Sequence, residues 1–206
     1  MNEVNKPRVH DLLQIDPALL TSGYGAEPHW VQETLFVCPW VVVRRAQTSF
    51  GHIPVGVRGT TRSDRWGGFC DESQIRMIAR PGQLLPSSGR TPAMRALQKM
   101  CDRWAALALS WGPAGSVGFE LATGRRVTNE ESDLDLVVRA PQRIPFKEAR
   151  FLLDRTLGLE VKVDVRVETP LCGFALEEYA LESSPRILLR YAEGARLGED
   201  PWQVES

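Results

Sequence analysis

The sequence predicts an α+β fold with a smaller β-rich first half and a second half of mixed helices and strands. Two observations predict it. Before residue 86, short β-rich runs are separated by turn residues, whereas after residue 90 amphipathic helical patterns alternate with strands. A composition of 43% hydrophobic and 25% charged residues is typical of a globular protein. The turn-rich segment 86–90 is the expected boundary, which gives domains 1–88 and 89–206.

The first half is expected to contain at least three short strands. These strands are Trp40–Arg44, Ile53–Arg58 and Ser73–Ala79. Proline removes a ladder donor and glycine weakens a strand, so Pro39, Pro54 and Gly56 favour short or edge strands over long central ones.

The second half opens with a helix. Thr91 has the side chain of an N-cap, Pro92 suits the first helical position, and the apolar periodicity continues until shortly before Gly112. A strand is expected near Val117–Leu121. After a charged polar loop, the alternating segment Leu134–Arg139 predicts another strand.

The rest of the second half continues the alternation of helices and strands. A helix from Pro145 to Gly158 is expected to bury Phe146, Ala149, Leu153 and Leu157. Strict alternation then predicts a strand over Val161–Val167 with one face of valine. Two last elements are Phe174–Leu181, read as a helix, and Ile187–Tyr191, a further short element. This order favours an α/β or α+β layer arrangement.

Charge and cysteine content limit the classes of function. The chain has 25 basic and 26 acidic residues, a net charge of -1, which argues against a nucleic-acid or anionic-membrane partner bound by bulk charge. No apolar run is long enough for a membrane span, and the first residues lack the apolar core of a secretory signal. The four scattered cysteines predict reduced thiols and no zinc site. A cytoplasmic location is therefore expected.

Three aspartates on predicted strands are candidate catalytic and metal-binding residues. Asp133 and Asp135 are two residues apart, so they project from one strand face while Leu134 and Leu136 face the core. Asp164 lies on the polar face of the valine strand, and the three carboxylates converge if the two strands pair. Clustered carboxylates with phosphate oxygens favour Mg²⁺ (or Mn²⁺). The alternative is a set of solvated acids at a strand edge.

Two other features suit a phosphorylated ligand. Gly115 and Ser116 form a turn whose backbone N–H groups and hydroxyl can hold phosphate oxygens, although such a turn is by itself more often a helix terminator. Between residues 44 and 90 the chain has eight arginines and only three acids. Arg58, Arg62 and Arg65 lie close together, and their guanidinium groups suit bidentate phosphate contacts. A solvated basic face is the alternative.

The glycine-serine turn, the Ser132–Asp135 strand and the Asp164 strand, in that order, resemble the nucleotidyltransferase superfamily typified by DNA polymerase β. The loop between Ser116 and Asp133 is longer than is usual there. The resemblance implies a mixed sheet with helices in the second half. It also implies that Asp133 and Asp135 bind metal and that Asp164 is a third ligand or a general base.

A closer resemblance rests on longer strings, namely WGPAGSVGFELATG at 111–124, SDLDLVVR at 132–139 and VGVRGTTRSDRW at 55–66. They resemble the malonate decarboxylase holo-acyl-carrier-protein synthases, also called phosphoribosyl-dephospho-CoA transferases. The resemblance implies transfer of 2′-(5″-phosphoribosyl)-3′-dephospho-CoA from triphosphoribosyl-dephospho-CoA to a serine of the acyl carrier protein subunit, with release of pyrophosphate. Transfer of AMP onto a protein or small molecule is the alternative activity, and a catalytically silent binding module is the other.

Overall fold

The computed structural model describes residues 6–16, 20–22, 27–48, 51–59, 61, 64–86, 89–182 and 184–203. The chain divides into two compact units, Met1–Arg80 and Pro81–Ser206. Each unit has its own six-stranded sheet, and the described residues form five α-helices in all. The predicted α+β class is confirmed.

The first unit is an antiparallel sheet with one helix. Its elements are β1 (Leu12–Ile15), β2 (Thr21–Ser22), α1 (His29–Val37), β3 (Trp40–Val43), β4 (His52–Arg58), β5 (Arg65–Asp71) and β6 (Ile75–Ala79), in the sheet order β2-β5-β4-β3-β1-β6. Val31 and Leu35 of α1 join Val55 and Val57 of β4 in the core of this unit. One face of the sheet is therefore apolar because it packs on the helix.

The three strands predicted in the first half are confirmed with small changes in their ends. The expectation that Pro54 and Gly56 mark a short or edge strand is wrong, because β4 is an interior strand that pairs with β5 over its whole length. Pro54 is tolerated because β3 ends beside it. Its carbonyl accepts from the Arg44 N–H at 2.8 Å, so its missing N–H faces the end of β3 and not β5.

The second unit is a mixed sheet with four helices among its described residues. Its elements are α2 (Pro92–Arg103), β7 (Ser110–Pro113), α3 (Gly115–Thr123), β8 (Leu134–Arg139), α4 (Phe146–Asp154), β9 (Val163–Glu168), β10 (Gly173–Ala175), α5 (Leu176–Leu181), β11 (Ile187–Arg190) and β12 (Ala195–Gly198). The strand order is β12-β11-β10-β9-β8-β7. Only β8 and β9 among these neighbours run parallel, and α4 lies in the crossover between them.

Several predicted elements of the second unit are confirmed. The Thr91 hydroxyl caps α2 by accepting from the Met94 N–H at 3.4 Å, and Pro92 is the first helical residue. The strand Leu134–Arg139 has the predicted ends, and the valine strand is β9. However, α2 ends at Arg103, earlier than predicted, and the segment before Gly112 forms β7.

The strand predicted at Val117–Leu121 is wrong, because these residues belong to α3. Gly118 explains how a helix fits there. A β-carbon on Gly118 would lie 2.6 Å from the Pro113 carbonyl oxygen, so glycine lets α3 pack directly on the end of β7. Because this contact is between two backbones, the apolar periodicity of the sequence does not indicate it.

Two residues of the predicted helix from Pro145 to Gly158 are exposed where burial was expected. Phe146 is 43% exposed and stacks on the Tyr179 ring of α5, and Leu157 lies beyond the end of α4 and is 62% exposed. Ala149 is fully buried as predicted, Leu153 is partly buried against the core, and Leu152 is a fully buried position that was not predicted. The helix ends at Asp154, earlier than predicted, so its buried stripe is shorter and Leu157 lies beyond it.

The junction of the two units lies earlier in the chain than the boundary expected between residues 88 and 89. Pro81–Gln83 forms a short 3-10 helix that packs on β7. A β-carbon on Gly112 would lie 2.8 Å from the Gly82 nitrogen, so the two backbones are in close contact. This contact associates Pro81 with the second unit. Within the described ranges no helix has the length and apolar character needed to span a membrane.

Candidate active site

Two of the three predicted acids are direct neighbours across a strand pair. In the parallel ladder of β8 and β9, Asp135 is paired with Asp164, and Leu134 is paired with Val163. Leu134 and Leu136 are fully buried beneath them. The condition for convergence, that the valine strand pairs beside the aspartate strand, is thus met, and both carboxylates project from the face opposite the core.

Asp133 precedes β8 and is exposed, whereas Asp135 and Asp164 are half-buried. By strand alternation Asp133 belongs to the same face as Asp135. In the described part of the chain, no group of three or more His, Cys, Asp or Glu side chains is already arranged to hold a metal ion. The three-carboxylate metal site therefore stays a prediction.

The turn at Gly115 and Ser116 joins a strand to a helix. The sequence predicted the reverse, a helix end followed by a strand. Gly115 has a φ of +55°, which favours glycine, and it is the first residue of α3. The Gly118 N–H donates to the Ala114 carbonyl at 2.8 Å, so the N–H groups of the first turn have no acceptor within the helix. Such a helix start favours an anion.

Asp135 lies directly against this helix start. The Ala114 N–H donates to the Asp135 carbonyl at 2.8 Å. A β-carbon on Gly115 would lie 2.8 Å from the Asp135 carboxyl carbon, so any side chain at this position would displace the carboxylate. The predicted phosphate-binding turn and one of the predicted metal ligands are therefore parts of one site.

The loop that leads into Asp133 is held by a turn that the sequence analysis missed. The Asn129 N–H donates to the Ser132 hydroxyl at 3.0 Å, and that hydroxyl donates to Asn129 Oδ1 at 3.1 Å. The Asn-x-x-Ser spacing is the signal that could have indicated it, because Asn and Ser side chains bond to nearby backbone groups in turns. Ser132 is buried, so this turn fixes the backbone entering the site.

A carboxylate network fixes the start of the same loop. Glu120 on α3 accepts from Arg90 at 2.7 Å, and from the Val127 N–H, the Thr128 N–H and the Thr128 hydroxyl at 2.9, 2.8 and 2.7 Å. Burial alone would raise the pKa of Glu120, but the bonds from Arg90, Thr128 and Val127 outweigh it and lower the pKa to about 2. No local pattern in the sequence indicates this network, because Arg90 is distant from the loop along the chain.

The predicted arginine cluster is partly described. Arg58 ends β4 and Arg65 begins β5, and the two are paired directly across the antiparallel ladder. Both are exposed. Arg62 lies outside the described residues. Arg58 and Arg65 belong to the first unit, whereas the aspartates and Gly115 belong to the second.

Family comparisons cover both units. A family model described as the phosphoribosyl-dephospho-CoA transferase MdcG N-terminal domain matches residues 8–81, and one described as the C-terminal domain of the same transferase matches residues 83–201. The protein is thus an enzyme of the transferase class. The chain belongs to the MdcG phosphoribosyl-dephospho-CoA transferase family.

Curated relatives agree over almost the whole length. A protein named phosphoribosyl-dephospho-CoA transferase from Pseudomonas fluorescens is 41% identical over 199 residues, covering 95% of this chain and 94% of the relative. Proteins of the same name from Pseudomonas putida and Azotobacter vinelandii are 39% and 38% identical, covering 98% and 96% of this chain and 98% and 95% of the relatives. No solved structure matches. The family resemblance expected from the sequence strings is confirmed.

Proposed function

We propose that this protein transfers the 2′-(5″-phosphoribosyl)-3′-dephospho-CoA group from its triphosphate precursor to a serine of the acyl carrier protein subunit of malonate decarboxylase. The single observation that supports this most is the match to both family domains, together with relatives of that name along nearly the whole chain. The pairing of Asp135 with Asp164 beside the Gly115 helix start adds a site suited to phosphoryl chemistry.

The reaction is a substitution at phosphorus. The serine oxygen of the carrier bonds to the phosphorus nearest the ribose, and the bond from that phosphorus to the pyrophosphate oxygen breaks. Pyrophosphate leaves, and the serine proton passes to a base. In the proposed arrangement the N–H groups at the start of α3, with the Ser116 hydroxyl, bind phosphate oxygens.

Magnesium or manganese is part of the proposal. Asp133, Asp135 and Asp164 offer only carboxylate oxygens, which are the ligands that such hard cations prefer. Asp133 and Asp135 would hold the ion, and Asp164 would be a third ligand or the base that accepts the serine proton. When bound, the ion would offset negative charge on the triphosphate.

The polymerase β type of nucleotidyltransferase fold is the proposed fold of the second unit. A glycine-serine helix start after one strand, with Asp133 just before the neighbouring strand and Asp135 on it, agrees with the sequence resemblance. For the first unit, we propose that Arg58, Arg62 and Arg65 bind phosphates of the precursor. A cytoplasmic location is part of the same proposal.

The test follows the mass of the apo carrier protein after incubation with the enzyme, Mg²⁺, the triphosphate precursor and ATP. The proposal requires the phosphoribosyl-dephospho-CoA increment, with release of pyrophosphate. An AMP increment, or no increment at all, contradicts it. The first result would favour the alternative nucleotidyltransferase activity, and the second a silent binding module.

Variants of the acids refine the same assay. Asp133→Asn and Asp135→Asn should each lower the rate of transfer by about a hundredfold or more, since each removes a carboxylate that would hold the ion, and the ion would offset negative charge in the transition state. Asp154→Asn is the matched control, because Asp154 is an exposed carboxylate of the same unit whose partner is Arg150 on its own helix. Transfer by Asp135→Asn at the rate of the control would contradict the assignment.

A further inference from the structure

A third arginine joins Arg58 and Arg65 on the outer face of the first unit's sheet. Arg44 follows β3, and its side chain crosses the neighbouring strands β4 and β5. A β-carbon on Gly56 would lie 2.8 Å from Arg44 Cδ. One on Gly67 would lie 3.0 Å from Arg44 Cζ and would overlap the guanidinium nitrogen. The guanidinium therefore lies on a surface that only glycine leaves open.

The two glycines face each other in the sheet. Gly56 of β4 is paired with Gly67 of β5, and two positions further along the same ladder Arg58 is paired with Arg65. Side chains two residues apart on a strand share a face and lie roughly 6 to 7 Å apart. The three guanidinium groups therefore occupy one face of the β4–β5 hairpin, and we call them the arginine face.

The arginine face has no counter-charge among the described residues. Other arginines of this unit are paired with acids: Arg76 lies 2.7 Å from Asp16, and Arg80 lies 3.8 Å from Asp11. Within the described ranges, no ion pair or hydrogen bond involves the guanidinium groups of Arg44, Arg58 or Arg65.

Like charges directly opposite on neighbouring strands repel each other, so an anion is the chemical group that this face lacks. Guanidinium forks bind phosphate in a bidentate manner, and several of them suit a polyphosphate better than a single phosphate.

We propose that the arginine face binds a diphosphate or triphosphate group, with Arg44 held in place over the Gly56–Gly67 pair. The inference deepens the proposed function, on which it rests for the identity of the natural ligand. Both the triphosphate end of the precursor and the diphosphate of its CoA part have the required chemistry. The role of Arg44 is what this inference adds to the proposed function. Because the Arg44 side chain lies over Gly56 and Gly67, the two glycines become part of the binding site.

Binding to the full-length protein tests this directly. Titration calorimetry with inorganic tripolyphosphate and, separately, with 3′-dephospho-CoA is done in EDTA, so that the aspartates contribute no metal-mediated binding. Arg44→Ala should weaken the tighter of the two probes about tenfold to a hundredfold, the usual effect of losing a charge-assisted contact. The affinity of Arg44→Lys for the probe should lie between those of the wild type and Arg44→Ala, because lysine keeps the charge but lacks the planar guanidinium group. The preferred probe shows which end of the precursor is bound.

Gly67→Ala is the sharper variant, because it keeps every charge and displaces the guanidinium by a methyl group. We expect it to weaken binding nearly as much as Arg44→Ala, with an unchanged circular dichroism spectrum. Arg76→Ala is the control, since it removes one exposed arginine of the same sheet that already has a carboxylate partner. The inference would be overturned if Arg44→Ala and Arg76→Ala weakened probe binding equally. It would also be overturned if Gly67→Ala bound the probe with the affinity of the wild type.

The outcome is separable from that of the proposed function. Asp154→Asn should bind both probes as the wild type does, because Asp154 is an exposed carboxylate of the second unit that belongs neither to the arginine face nor to the proposed active site. If the carrier receives no phosphoribosyl-dephospho-CoA but probe binding still depends on Arg44, the proposed function fails and the polyphosphate site stands. If transfer proceeds and neither probe depends on Arg44, the site is overturned while the function stands.

Discussion

Replacing Glu120 by glutamine should destabilise the second unit by an amount that the structure sets. Glu120 is 12% exposed and accepts from Arg90 and from two backbone N–H groups and a hydroxyl of the following loop. Its pKa is lowered from 4.5 to about 2. At about 1.4 kcal/mol per pKa unit, the ionised form contributes about 3 kcal/mol to the free energy of unfolding near pH 7.

The sign of the pH dependence follows from the lowered pKa. The unfolded chain binds the proton more readily than the folded one, so this contribution is complete above about pH 4.5 and is lost as the pH falls toward 2. The contribution of Glu120 to the free energy of unfolding can be measured by urea unfolding, with tryptophan fluorescence as the signal. With a slope of about 2 kcal/mol per molar urea, Glu120→Gln should lower the midpoint by about 1.5 M at pH 7. The difference from wild type should shrink at acid pH.

Glu160→Gln is the matched control. Hydrogen bonds from Arg95 and then Lys99 also lower the pKa of Glu160 to about 2, but this carboxylate is 37% exposed. Solvent screens an ion pair that is this exposed, so Glu160→Gln should lower the free energy of unfolding much less than Glu120→Gln does. An unchanged midpoint in Glu120→Gln at pH 7, or an equal loss in Glu160→Gln, would refute the reasoning that burial makes the Glu120 network strong.

Three further outcomes are expected. Gly115→Ala should lower kcat/KM for transfer by about a hundredfold, because the new methyl group would displace the Asp135 carboxylate and small displacements of reacting groups have effects of that size; a rate equal to wild type would contradict the described contact. In a thiol titration at pH 8, Cys101, the one half-buried cysteine, should react before the other three, and all four should react after unfolding. Rapid reaction of every thiol in the native protein would refute this. Phe174→Ala should lower the free energy of unfolding by about 3 to 5 kcal/mol in a urea titration, since this ring is fully buried; a loss below 1 kcal/mol would contradict that packing.

Part of the candidate site could be predicted from the sequence because strands have a period of two. Alternation placed Leu134 in the core and Asp135 outside it, and the same rule located Asp164 on its strand. The parallel pairing of Asp135 with Asp164 was conditional on how the strands associate, which no local pattern specifies. The strands pair in this way because the pairing packs the buried side chains of both strands into one core.

The element around Gly115 shows why local patterns fail at the site. The short apolar run after Ser116 fits a strand as well as a helix, and the helix forms because Gly118 lets it approach the Pro113 backbone. Local patterns likewise do not predict that Glu120 anchors the loop at Thr128. In both cases the deciding partner is distant along the chain or is a backbone atom.

Four properties of this protein could be predicted from the sequence alone: the α+β class, the strands at the aspartates, the excess of arginine in the first half and the family. Each depends on residue type and spacing, which are present in the chain before it folds. Three features are visible only in the folded protein: the glycine-serine turn begins a helix, Asp135 lies against Gly115, and Arg44 lies across Gly56 and Gly67. These are contacts between segments distant in sequence, and they form only when packing of the core brings those segments together.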